Sequence, residues 1–194
     1  MIGAEQRDVE YVLAIDPALS TTGYAVINKN TLELEYINKF TTSAKLSDDE
    51  RINAIVSKLL SIASMYPIKD IILEDGYLGP NARTCLQLAT LRGAIIGVFN
   101  VLKYSVHHML PSQIRKELGI GGKAKKDEVA MAITAMYQNN RKLDIIGPYS
   151  DKQNKDKTSD IYDAISIGVA FCKMRKSKGD TDGESNNSTD NAKT

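Results

Sequence analysis

An apolar run that ends in a carboxylate constrains this chain more than any other feature. Tyr11-Val12-Leu13-Ala14-Ile15 stops at Asp16 and Pro17, small residues follow, and a second apolar run extends from Tyr24 to Ile27. Runs this short and this rich in β-branched residues read as buried strands joined by a tight connection. An aspartate where a buried strand runs out stands at the rim of the core, partly desolvated and aimed at whatever binds over the sheet edge. Taken alone it is either a turn-capping residue or a ligand for a metal ion or a phosphate.

The rest of the chain supplies a sheet for that strand to join. Residues 9–16, 23–29 and 32–40 read as three strands. The Asn28-Lys29-Asn30 link marks a hairpin, so the three form an antiparallel meander. Ser47 and Glu50 make a capping box for a helix that carries Ile52, Ile55, Val56, Leu59, Leu60 and Ala63 to about Met65, and Pro67 stops it. Ile71-Ile72-Leu73 is a fourth buried strand, and it too ends in a carboxylate, Glu74. A long helix is predicted from Asn81 to about Lys103, with Gly93 and Gly97 one turn apart. Glycine inside a helix costs roughly 1 kcal/mol relative to alanine, so the pair points to a close approach by another backbone, from the chain's own sheet or from a second subunit.

Tyr104 to Leu110 is a fifth strand, in which His107 and His108 point to opposite faces and read as strand residues rather than metal ligands. A short helix over 111–118, the Gly119-Ile120-Gly121-Gly122 link and a helix over about 126–138 follow. A polar loop is expected over 140–157, then a last helix from Thr158-Ser159-Asp160 to about Lys176. Residues 1–176 therefore form one domain. Residues 177–194, apolar only at Ala192, are expected to be a disordered polar tail.

Composition narrows the function classes. A chain of 194 residues with 42% hydrophobic and 25% charged residues has an ordinary soluble composition and enough length for one sizeable core. No apolar run is read as approaching membrane-spanning length and the N-terminus lacks a signal pattern, so no membrane partner and a cytoplasmic location are expected (the host cytoplasm if the chain is phage-encoded). Cys85 and Cys172 lie far apart and read as buried free thiols of a reducing compartment. The net charge of +1 gives no bulk attraction to nucleic acid, so any such binding rests on local patches.

A helical crossover returns strand four parallel to an earlier strand, most simply strand one. Asp16 and Glu74 then end neighbouring parallel strands at the edge where open α/β sheets bind ligands. Asp160 and Asp163, three apart at a helix start, share one face. Stabilisation of a helix N-terminus accounts for Asp160 alone, but less well for Asp163, which lies among Ile161, Ala164 and Ile165. Four carboxylates on one rim repel one another unless cations neutralise them. Oxygen ligands select a hard ion, Mg²⁺ or Mn²⁺, and two such ions suit phosphodiester cleavage, with Asp16 bridging them.

Here the sequence resembles the RuvC family of Holliday junction resolvases, of ribonuclease H-like fold. Four blocks carry the likeness, in the family's order. They are Ile15-Asp16-Pro17 with Thr22-Gly23-Tyr24 and Val26-Ile27; Glu74 and Tyr77 with Asn81, Thr84, Leu86, Leu88 and Arg92-Gly93; Gly119-Ile120-Gly121 with Ala124-Lys125-Lys126 and Val129; and Asp160 with Asp163-Ala164. The resemblance implies an α/β fold with a five-stranded mixed sheet, an antiparallel meander plus parallel strands, flanked by helices. It implies Asp16, Glu74, Asp160 and Asp163 as catalytic, metal-binding carboxylates and Mg²⁺-dependent paired cleavage of branched DNA. It implies Tyr77 as an aromatic stacking on a base, Lys126 as a basic residue near the scissile phosphate, and a homodimer, for which the glycine-bearing helix 81–103 is the candidate interface. Lys103, Arg115, Lys116, Lys123, Lys125 and Lys126 stand against Glu117 alone, which suits either phosphate contacts or a solvated helix face.

The chain departs from the family pattern at Ala18, which replaces a glycine and so predicts an ordinary backbone there, in the long loop 140–157 and in the tail. These departures suggest a divergent, phage-encoded member. The rival readings are a ribonuclease H-like nuclease with a different branched-DNA or RNA–DNA hybrid substrate, a non-catalytic junction-binding protein, and an actin-like ATPase. The last needs a second phosphate loop and an adenosine motif that the sequence lacks, so no nucleotide cofactor is expected.

Overall fold

The structure, a computed structural model, describes residues 9–75, 79–146 and 152–184. Five strands, β1 (Tyr11–Asp16), β2 (Thr21–Asn28), β3 (Leu34–Thr41), β4 (Ile68–Glu74) and β5 (Ser105–Met109), form one sheet in the order β3-β2-β1-β4-β5. The meander is antiparallel, and β4 and β5 run parallel to β1. The crossover after β3 thus returns beside β1, as the sequence predicts. Asn28 makes the hairpin: its side-chain oxygen accepts the backbone N–H groups of Asn30 (2.9 Å) and Thr31 (3.0 Å).

Period-2 alternation gives the sheet two apolar faces. Leu13, Ile15, Tyr24, Val26, Ile71 and Leu73 pack on α1 (Asp48–Met65) and α2 (Ala82–Val101). Val12, Ala14, Ala25, Ile27 and Ile72 face α3 (Pro111–Glu117), α4 (Lys126–Met136), α5 (Arg141–Ile146) and α6 (Lys152–Glu184). The predicted capping box starts α1: Ser47 Oγ accepts the Glu50 N–H at 3.3 Å and Glu50 Oε2 accepts the Ser47 N–H at 2.8 Å, a cap of about 1 kcal/mol. Tyr66, extended ahead of Pro67, ends the helix. Asn81 Oδ1 caps α2 by accepting the Thr84 N–H at 3.2 Å.

Several expectations are corrected. The segment 140–157 is not a loop throughout, because α5 and the first turns of α6 occupy it. Asn140 opens α5 with its carbonyl and side-chain oxygen, Leu143 is buried, and Lys142 donates to the Leu34 carbonyl at 2.5 Å. Helix α6 starts at Lys152 rather than Thr158, because its apolar periodicity begins only at Ile161 and polar leading turns show none. It also runs past Ser177 to Glu184, since extending an existing helix needs no new apolar stripe. Residues 185–194 lie outside the described residues. By length and composition α2 is apolar enough to cross a membrane, contrary to the expectation that no segment is. It is docked on the sheet through Leu91, Ile95 and Phe99. Cys172 is buried, but Cys85 is only partly so.

The close backbone approach lies elsewhere than predicted. An added Cβ at Gly93 or Gly97 would meet nothing within 4 Å. At Gly168 of α6 it would come 2.9 Å from the Ala14 Cβ and 2.7 Å from Ile27 Cδ1, and at Gly23 of β2 it would come 1.9 Å from the Asp160 carbonyl oxygen. Small residues on both surfaces therefore let α6 lie directly on the sheet.

Candidate active site

Asp16 pairs with Gly23, and Gly23 pairs in turn with Lys39, so these three residues form one row across β1, β2 and β3. Side chains in such a row share a face. Asp16 follows Ile15, which faces α1 and α2, so Asp16 turns to the α6 face. Glu74 follows Leu73, the register partner of Ile15, and turns the same way. The glycine between Asp16 and Lys39 leaves the space into which α6 descends with Asp160. Gly23 is thus a strand residue, inside the stretch 23–29 read as a strand. Sequence reading alone missed its role, although a glycine inside a β-branched strand is a signal of close approach.

The turn over residues 17–20 is held from below. The buried Thr22 hydroxyl donates to the Ala18 carbonyl at 2.8 Å and accepts the Ala18 N–H at 3.3 Å. The Thr42 hydroxyl donates to the Leu19 carbonyl and accepts Arg51 Nε–H at 2.8 Å. Ala18 is not among the residues with positive φ, as expected of an alanine there.

Helix α6 brings Asp160 and Asp163 to the same rim. Asp160 lies in the interior of the helix, not in its first turn, so stabilisation of the helix terminus does not account for it. Lys126, at the start of α4, donates to Asp163 Oδ2 at 2.6 Å, and Lys39 stands 3.9 Å from Asp160. Burial pushes the Asp16 carboxyl up to about 8, and the charges of Asp163, Glu74 and Asp160 add to the rise against Lys126. Burial and then Asp163 raise Glu74, while Lys126, Arg115 and Arg92 oppose the rise. Burial also raises Asp160, with Asp163 adding and Lys39 opposing. Burial disfavours the Lys126 ammonium, yet Asp163, Asp16 and Glu74 hold its pKa above the ordinary lysine value. Three carboxylates whose ionisation is opposed by burial and by one another, beside an Asp163 that has drawn in an ammonium, form a site that favours cations. Among the described residues no three His, Cys, Asp or Glu side chains already close on one point, so the donors fit hard cations in type while their side chains must turn inward to hold one.

Of the other predicted contacts, Arg115 is near enough to Glu74 to act on it. Lys116, Lys123 and Lys125 are exposed on α3 and the link into α4. Lys103 precedes β5, at the end of the sheet opposite the carboxylates, so the basic segment is not one patch. Tyr77 lies outside the described residues. His107 and His108 do point to opposite faces: His107 Nε2 lies 2.7 Å from Asp70 Oδ1 and its ring meets Phe171, whereas His108 faces Arg92.

A mixed sheet in this order, layered by helices and ending in an acidic cluster at β1, β4 and the last helix, defines the ribonuclease H-like nuclease class. The family model "Crossover junction endodeoxyribonuclease RuvC" matches residues 12–171. The chain therefore belongs to the RuvC family of crossover junction endodeoxyribonucleases. It is 27% identical over 163 residues to the enzyme of that name from Ehrlichia ruminantium (strain Welgevonden), covering 81% of this chain and 93% of the relative. The T. thermophilus RuvC in complex with a Holliday junction substrate superposes with a TM-score of 0.70 at 16% identity, covering 87% of this chain and 96% of that one. The yeast mitochondrial Holliday junction resolvase Ydc2 superposes at 0.68 and 13% identity, covering 91% and 83%.

Proposed function

We propose that this chain resolves four-way DNA junctions, and acts on other branched DNA, by paired metal-dependent hydrolysis of phosphodiesters. The observation that carries the reading is the meeting of Asp16, Glu74, Asp160 and Asp163 on one rim with the Lys126 ammonium among them. The carboxylates would hold Mg²⁺, two ions with Mn²⁺ able to substitute, and Asp16, the most central and most strongly perturbed, would be the shared ligand. Such ions supply activation of water and stabilisation of charge on the phosphate. Lys126, released from Asp163, would meet the scissile phosphate, a role that its contact with Asp163 on the acidic rim supports. Arg115, Lys116, Lys123 and Lys125 meet neighbouring phosphates and fix register rather than sequence. Tyr77 keeps the stacking role that the family resemblance implies. Paired cuts on a two-fold junction need two sites, hence a homodimer, with the outer face of α2 as its contact. The free thiols Cys85 and Cys172 suit a cytoplasmic enzyme.

The test is a cleavage panel of four-way, three-way, flap and RNA–DNA hybrid substrates with Mg²⁺ and with EDTA. Preferred, Mg²⁺-dependent cutting of four-way junctions is expected. Preferred cutting of hybrids would replace this reading with that of a different ribonuclease H-like nuclease.

A further inference from the structure

Arg92 is a charged residue on the sheet side of α2, next to the fully buried Leu91 and one turn from Ile95. Its side chain is only 11% exposed. Nη1 donates to the Glu74 backbone carbonyl at 2.6 Å, and Nη2 donates to Asp75 Oδ1 at 2.8 Å and lies 3.3 Å from His108 Nδ1. The Asp75 N–H in turn donates to the Met109 carbonyl at 2.7 Å. A guanidinium taken out of water is tolerated where fixed acceptors receive it, and here the acceptors gather at the strand end from which Glu74 emerges. Its planar fork holds a backbone oxygen with one prong and a carboxylate with the other, which fixes the position and the rotation of the peptide between residues 74 and 75.

The Glu74 side chain leaves toward α6, whereas Arg92 approaches from the α2 layer. We propose that Arg92 is a positioning residue: it clamps the end of β4 from the opposite face of the sheet, so that Glu74 presents its carboxylate beside Asp16. This rests on the reading of Glu74 as a metal ligand. The hydrogen bonds of the clamp go to the Glu74 backbone oxygen and to Asp75, not to the Glu74 carboxylate, so it orients the ligand without occupying the oxygens a cation needs.

The test uses the full chain with Arg92→Lys, Arg92→Gln and Asp75→Asn. The Mn²⁺ concentrations giving half-maximal thermal stabilisation and half-maximal junction cleavage are measured beside junction binding in EDTA. Loss of a group that orients a metal ligand typically weakens metal affinity or activity about 10- to 100-fold. Both midpoints should rise by that order for Arg92→Gln and by less for Arg92→Lys, with binding in EDTA changed by no more than about twofold. If Arg92→Gln does not fold, Asp75→Asn, which keeps the guanidinium but takes the charge from one of its acceptors and so weakens that prong, should shift the midpoints in the same direction. A lower metal-free melting temperature with unchanged midpoints makes Arg92 merely structural and overturns the inference. Glu74→Gln separates the two levels. A metal response that survives it sinks the reading of Glu74 itself, whereas its loss beside unshifted Arg92 and Asp75 variants sinks the clamp alone.

Discussion

Asp16 and Gly23 are register partners with opposite demands: one must carry charge at the rim, the other must carry nothing. Replacing Asp16 with asparagine keeps the shape and removes the charge that a cation needs. Several kcal/mol of transition-state stabilisation, at 1.36 kcal/mol per decade, place the expected loss of cleavage rate at about a thousandfold. Junction binding measured in EDTA should persist, because phosphate contacts do not pass through Asp16. Cleavage by Asp16→Asn at the wild-type rate would show that the acidic rim is not the reaction centre. Gly23→Ala tests the vacancy. Its Cβ would come 1.9 Å from the Asp160 carbonyl oxygen, a backbone atom that cannot swing aside, so α6 must lift. Overpacking of this kind costs about 1–3 kcal/mol, read by urea unfolding. The lift also carries Asp160 away from the row, so the rate per folded molecule should fall as well.

Elements whose signal is local were legible in the sequence. The Ser47/Glu50 box, the stop at Pro67 and the runs ending at Asp16 and Glu74 each declare themselves within a few residues, and the crossover rule then brings both carboxylates to one edge. What was not legible depended on partners distant in the chain. The polar leading turns of α6 carry no periodicity, and the glycines that matter, Gly23 and Gly168, are known only from what packs on them. Arg92 reads in the sequence as a motif letter, and its partners, the Glu74 carbonyl, Asp75 and His108, come from β4, the link after it and β5. The glycines of α2 remain open to another backbone, because among the described residues no other element comes within 4 Å of a Cβ added at Gly93 or Gly97. The same helix leaves Leu86 (69% exposed) and Val101 (77%) in solvent. A second copy laid along this face would cover both the glycines and the apolar residues. If the proposed homodimer uses this face, Gly97→Glu shifts it to monomer in light scattering and turns paired incisions into single nicks. A dimer that survives the charge would move the interface elsewhere.

Across the whole molecule, charge is sorted between the two ends of one sheet. At the C-terminal ends of β1 and β4 the carboxylates repel one another. At the opposite end the groups are paired: Asp70, buried, takes Lys29 at 3.0 Å and His107 at 2.7 Å, and Lys29 also holds Glu10 at 3.1 Å. The two ends respond to pH with opposite signs. Burial would raise Asp70, but its hydrogen bonds with Lys29 and His107 hold it below the ordinary aspartate value. Its contribution is therefore present above the unfolded pKa, near 4, and is lost as pH falls through the folded value. Asp16, raised to about 8, behaves in reverse. The folded state keeps a proton that the unfolded chain has released, so stability falls as pH rises from the unfolded value toward the folded one. In EDTA the stability curve should be a dome, with Asp70 on its acid side and Asp16, aided by Glu74 and Asp160, on its alkaline side. Asp70→Asn should lower the dome by about 2 kcal/mol, the scale of hydrogen bonds to a charged group, and soften the acid limb without changing cleavage per folded molecule. Asp16→Asn should flatten the alkaline limb and make the metal-free protein more stable than wild type at pH 8. Mg²⁺, which binds the ionised carboxylates, should restore the wild-type alkaline limb and leave that of Asp16→Asn little changed. Thermal melts across pH, with and without Mg²⁺, measure all three. An alkaline limb unaffected by both Mg²⁺ and Asp16→Asn would mean that the rim does not carry the repulsion ascribed to it.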